Sequence, residues 1–127
     1  MSCAAAHGVL DAFEQDDVLN NAALRHKEIL QHLRRIQSVV PCFIREVRGA
    51  GLMIGVEFEQ KVGVGGGVYG ARASAVQAAA LRRGLLLLVC GPYDTLRLIP
   101  ALTISAEELS EAMDILLESV KEVAAVQ

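Results

Sequence analysis

The sequence predicts a mixed α/β chain of the α+β type, one sheet with helices packed against it, in the order ααββαββα. Three observations predict it. Apolar residues recur at helical spacing in separate segments, Leu52–Glu59 alternates apolar and polar residues with a period of two, and Leu85–Cys90 is a short apolar run bounded by glycines. A length of 127 residues fits one compact domain, 1–127, and leaves no room for a second of ordinary size.

Each element has its own signal. From Cys3 to Phe13 apolar residues fall at 3, 6, 10 and 13, one face of a helix, with alanine filling most of the rest. Its Ala-rich face is an expected exposed apolar patch. Asp16-Asp17 stands where a cap is needed before a second helix that carries Leu19, Ala22, Ala23, His26, Leu30, Leu33 and Ile36 and ends ahead of Pro41. Phe43–Arg48 and Leu52–Glu59 read as strands joined by Gly49-Ala50-Gly51, which are turn residues. In the second strand Leu52, Ile54, Val56 and Phe58 make the buried face.

After the glycine-rich stretch 62–70 an Ala-rich helix runs to Arg83, and Gly84 takes the left-handed cap position. Leu85–Cys90, with no polar alternation, is expected to be a central strand covered on both sides. Gly91-Pro92 marks a turn, Thr95–Ile99 a short strand, and Pro100 its end. Ser105-x-x-Glu108 is a capping box that opens a last helix with the apolar stripe Leu109, Met113, Leu116, Val120 and Val123.

Composition excludes several function classes. With 53% hydrophobic and 21% charged residues the chain has ample material for a core and is not disordered. A net charge of -3 and the lack of any long Arg/Lys run argue against nucleic acid as a partner. Three cysteines, Cys3, Cys42 and Cys90, at wide and unpatterned spacings suit a reducing compartment better than a disulfide framework or a zinc site. No segment reads as a signal peptide or a membrane span, so no membrane partner is expected and the localisation reads as intracellular.

Few residues look chemical. Gly65-Gly66-Gly67-Val68-Tyr69-Gly70 satisfies G-x-G-x-x-G, but the preceding strand ends near Glu59, too early for the tight turn of a dinucleotide site, so a plain connection is the better reading. His26 and His32 are six apart on one helix and face different directions, and His7 lies on another, so no metal site is assigned. Cys90 follows four leucines and a valine, the setting of a buried thiol with no histidine to activate it. Arg97 stands out. It interrupts Leu96 and Leu98 in a short strand, so it points to the opposite face from them, and a half-buried guanidinium wants a partner. That partner is either a bound carboxylate or an internal acid such as Asp94 or one of the glutamates.

Two segments at the right separation carry a resemblance. Val47-Arg48-Gly49-Ala50-Gly51-Leu52-Met53-Ile54-Gly55-Val56-Glu57 and Cys90-Gly91-Pro92-Tyr93-Asp94-Thr95-Leu96-Arg97-Leu98-Ile99-Pro100-Ala101-Leu102-Thr103-Ile104 resemble class III aminotransferases, in particular their 4-aminobutyrate branch. Cys3-Ala4-Ala5-Ala6-His7-Gly8-Val9-Leu10 and the terminal helix align as well, so nearly the whole chain takes part. Ornithine and acetylornithine aminotransferases share much of this region. The resemblance implies the small C-terminal domain of a fold-type I, pyridoxal 5'-phosphate enzyme that works as a homodimer or higher oligomer on amino-acid and keto-acid substrates. It also implies that Arg97 grips the substrate carboxylate, and it allows a cytoplasmic or mitochondrial-matrix location. The stretch 62–70 departs from the family, whose connection there is more polar.

Transamination needs a Schiff-base lysine, a carboxylate at the pyridinium nitrogen and phosphate donors, which in the family lie upstream. Lys27, Lys61 and Lys121 read as surface charges. No catalytic, cofactor-binding or metal residue is therefore assigned, no cofactor is expected on this chain alone, and Met1 is read as the start of a fragment that is inactive by itself. The alternative is a stand-alone sensing or interaction domain with a ferredoxin-like sheet.

Overall fold

The computed structural model describes residues 1–59, 71–91 and 93–126. Its elements are α1 (Ser2–Gln15), α2 (Val18–Val39), β1 (Ile44–Ala50), β2 (Met53–Phe58), α3 (Ala71–Arg82), β3 (Leu88–Cys90), β4 (Thr95–Leu98) and α4 (Ala106–Val126), the order the sequence predicts. The four strands form one antiparallel sheet in the order β1-β2-β4-β3. A ferredoxin-like sheet is built β-α-β-β-α-β, so that alternative architecture is not the one adopted.

Period two decides which face is buried. Ile54, Val56 and Phe58 of β2 share a face with Leu96 and Leu98 of β4, and Ile29, Leu33, Ile36, Val76, Leu109, Leu116 and Val120 of the helices close over it. α2, α3 and α4 thus form a helical layer on one side of the sheet. No described helix packs on the other, open side, where Met53 is 62% exposed but Glu57 and Thr95 are buried.

Helix ends follow the sequence signals in two places out of three. Ser105 and Glu108 close the capping box reciprocally: the Glu108 main-chain N–H donates to Ser105 Oγ at 3.1 Å and the Ser105 N–H to Glu108 Oε2 at 3.0 Å. Gly84, at φ +87°, ends α3 while the Leu85 N–H reaches back to the Ala80 carbonyl and the Gly84 N–H to that of Leu81. This is a Schellman cap, which needs a residue free to adopt positive φ. Asp17 departs from its expected capping role. It holds φ 47°, and its carboxylate accepts from the side-chain amide of Asn20 instead of from a main-chain N–H of α2.

The position of Leu85–Cys90 corrects the expectation of a central strand. Only Leu88–Cys90 is strand, and it forms the edge beside β4. Leu87 enters the core, whereas Leu86 is 74% and Leu88 40% exposed. The outward leucines of the run wall a cleft, and the described elements do not cover both of its faces.

Candidate functional site: Arg97 on the open sheet face

Register brings the chemistry-bearing side chains together on the open face. Arg48 of β1 pairs with Gly55 of β2, and Gly55 pairs with Arg97 of β4, so the two arginines flank a glycine in one row across the sheet. In the next row Glu46 pairs with Glu57, and Glu57 with Thr95. Gly55 has no side chain to fill the space between them; a Cβ there would lie 3.5 Å from Thr95 Cγ2 and 3.7 Å from Arg48 Cγ.

Glu57 is buried, and a buried carboxylate needs compensation. Two arginines provide it. Arg45 Nη1 donates to Oε1 at 3.1 Å and Arg48 Nη1 to Oε2 at 2.6 Å. Arg45 reaches this position because the ladder is irregular between Ile44 and Glu46, where the extra residue of a bulge falls. Arg48 also donates to Glu46 at 3.1 Å. The hydrogen bond from Arg48 to Glu57, reinforced by both acidic neighbours, raises its guanidinium above the ordinary arginine value despite a smaller opposing effect of desolvation.

Arg97 is different. It is half-buried as its strand position predicts, and its Nε is fully buried with no hydrogen-bond partner among the described residues. Asp94, its proposed internal partner, is engaged elsewhere: its buried carboxylate accepts from the main-chain N–H groups of Arg72 at 3.0 Å and Ala73 at 2.7 Å, satisfying the first turn of α3. Thr95 Oγ1 is likewise buried without a partner among the described residues. Arg97 also borders an apolar cleft of about 330 Å³ walled by Leu86, Leu88, Leu98, Ile104 and Met113. A guanidinium with an unpartnered donor suits a carboxylate, and the cleft beside its strand is apolar.

The remaining sequence candidates do not join this site. Cys90, half-buried, faces Thr95 across the β3–β4 pairing with no histidine on the sheet. His26 Nδ1 donates to the Gly51 carbonyl at 2.7 Å and fastens α2 to the β1–β2 turn. His7 lies on α1 and His32 on α2. Among the described residues no group of three His, Cys, Asp or Glu side chains could hold a metal ion. The G-x-G-x-x-G stretch, Lys61 and Pro92 lie outside the described residues. Sequence reasoning missed the Glu57 cluster; the outward alternation of Met53, Gly55 and Glu57 pointed to it, but the bulge that adds Arg45 left no trace in the pattern.

The sequence pattern of the family described as aminotransferase class-III matches residues 1–120. The chain belongs to the class-III aminotransferases. It is 37% identical over 113 residues to the acetylornithine/succinyldiaminopimelate aminotransferase of Yersinia pestis, covering 89% of this chain and 26% of that one. It is 40% identical over 121 residues to a diaminobutyrate–2-oxoglutarate transaminase of Streptomyces anulatus, covering 94% and 26%. The crystal structure of N-acetylornithine aminotransferase from Stenotrophomonas maltophilia superposes with a TM-score of 0.74 at 30% identity, over 87% of this chain and 28% of that one. This class-III chain thus spans about a quarter of the length of the curated relatives it matches.

Pyridoxal phosphate, which a class-III aminotransferase implies, needs a lysine amine together with phosphate donors. Lys27 is exposed on α2, and Lys121 Nζ lies 2.7 Å from Glu118 Oε1 on α4, so neither stands with Arg97. The described residues do not fit that group. No helix among them is long and apolar enough to cross a membrane.

Proposed function

We propose that the chain is the small C-terminal domain of a pyridoxal-phosphate transaminase that passes an amino group from an ω-amino acid of the 4-aminobutyrate type to 2-oxoglutarate. In this reading Arg97 grips the substrate carboxylate. The observation that carries it is the buried Nε of Arg97, without a hydrogen-bond partner among the described residues, while the buried carboxylates of Glu57 and Asp94 are occupied. A planar fork of donors matches a carboxylate in two parallel hydrogen bonds, and the glycine beside it places no side chain between Arg48 and Arg97. The 2-oxoglutarate half of the reaction is supported by the relative named as a diaminobutyrate–2-oxoglutarate transaminase. The cofactor, which supplies an electron sink for the amino-group carbon, belongs to the remainder of the enzyme in this reading, and the whole works as a homodimer. Alone, the chain binds no cofactor and is inactive.

The test is to join residues 1–127 to the lysine-bearing remainder of the Yersinia pestis relative and to assay both the chimera and the chain alone. The chimera is expected to transaminate 2-oxoglutarate with an ω-amino acid donor, and the chain alone to show no stoichiometric aldimine band. A folded, cofactor-loaded chimera inert towards every amino-acid donor, or a single lysine of the isolated chain fixed to the cofactor by borohydride, would overturn the reading.

A further inference from the structure

Glu57 has a choice of arginines. It faces Glu46 on one side and Thr95 on the other, which makes Arg48 and Arg97 its two diagonal neighbours across the ladders. Diagonal Cα positions in an antiparallel sheet lie about 7–8 Å apart, within reach of a long side chain. By register both arginines are diagonal neighbours of Glu57, yet it gives one oxygen to Arg48 and the other to Arg45, and none to Arg97. The bulge of β1 adds a second cation on the β1 side.

We propose that Arg45 and Arg48 are positioning residues that hold Glu57 away from Arg97 and so keep that guanidinium open to a substrate carboxylate. The inference rests on the role of Arg97 given above. A buried carboxylate that loses one arginine does not stay unpaired when another lies within reach. With the β1 side neutralised, Glu57 turns to Arg97 and occupies the donors that a substrate needs. The device is competitive: an internal carboxylate is sequestered so that an external one can bind.

The first readout uses this chain as it is. The side-chain Nε–Hε resonance of Arg97, assigned in uniformly ¹⁵N-labelled protein by its loss in Arg97→Lys, is compared in wild type, Arg45→Gln/Arg48→Gln, and the same double variant with Glu57→Gln added. The double variant is expected to shift that resonance and slow its exchange with water, and Glu57→Gln to restore both. Arg48→Lys, which keeps the charge, should leave Arg97 as in wild type and serves if the double variant does not fold, compared then with Arg48→Gln alone. In the chimera described above, the double variant should raise KM for carboxylate donors about tenfold with little change in kcat, relieved by Glu57→Gln. An Arg97 resonance unmoved in folded variants that lack Arg48, or a KM defect that Glu57→Gln does not relieve, overturns the proposal. If Arg97→Lys spares carboxylate donors while the resonance behaves as stated, the role given to Arg97 fails and the pairing switch stands.

Discussion

The carboxylate of Asp94 accepts the main-chain N–H of Ala73 at 2.7 Å, across 21 residues of sequence. It joins the residue that opens the Arg97 strand to the first turn of α3, and the Arg72 N–H makes a second bond at 3.0 Å. Asp94→Ala leaves both buried donors unsatisfied, and a loss of about 2–4 kcal/mol in unfolding free energy is expected. Asp94→Asn, which keeps an acceptor oxygen, should lose less. Urea unfolding of the two variants checks this; equal and negligible losses would show that α3 is capped by other groups.

Two glycines, Gly49 near the end of β1 and Gly51 in the turn that follows, should respond very differently to alanine. Gly49 sits at φ +144°, and a Cβ there would collide with the Met53 carbonyl oxygen and lie 2.8 Å from Ile54 Cα. Gly51, at φ +54°, has open space around its Cβ position. Gly51→Ala should cost only about 1 kcal/mol, the ordinary strain of a left-handed alanine, and Gly49→Ala at least about 3 kcal/mol because main chain must move. Thermal unfolding of both variants reads the difference.

Glu122 ties α4 to α3 through Arg82 and Arg83. The hydrogen bond from Arg83 holds its carboxyl below the usual carboxylate range. A lowered folded-state value means that this tie contributes stability above the unfolded carboxylate value and loses it as pH falls through the folded one. Wild type and Glu122→Gln should therefore differ in urea midpoint at pH 7 and converge as pH falls through the lowered folded-state value. A difference that persists or grows in acid would contradict the assignment.

α1 buries none of its residues and, of the described elements, touches only α2, while Val9 and Leu10 are 55% and 63% exposed. An apolar helix with so little support should open locally at low cost. Hydrogen exchange on the isolated chain is expected to show α1 amides exchanging far faster than those of α4, together with binding of a hydrophobic dye. Equal protection of α1 and α4, with no dye bound, would mean that α1 is held by contacts the structure does not show.

The parts of the fold set by local pattern were readable from residue order. Ser105 and Glu108 announce a cap within four residues, Gly84 marks a left-handed stop, and alternation along Leu52–Glu59 separates core from open face. What depends on long-range pairing was not. The apolar run ending at Cys90 gives the same pattern whether a strand is central or borders a cleft, and only the pairing of β4 with both β2 and β3 decides. The same holds at the site. Arg97 was visible because a charge between Leu96 and Leu98 is unusual, whereas the Arg45–Glu57–Arg48 cluster depends on a bulge and on the register between two strands.

The measurement that bears most directly on the role of Arg97 compares substrates with and without a carboxylate in the chimera of this chain and a lysine-bearing remainder. Arg97→Lys keeps the charge and loses the planar fork, and Arg97→Leu loses both. Both variants should fold and take up the cofactor, and lose about 2–5 kcal/mol of transition-state stabilisation in kcat/KM with glutamate or 4-aminobutyrate. A simple amine lacking a carboxylate should be affected much less. Equal losses for the two substrate types, or a defect confined to folding, would contradict the account and leave Arg97 as a structural residue of the sheet.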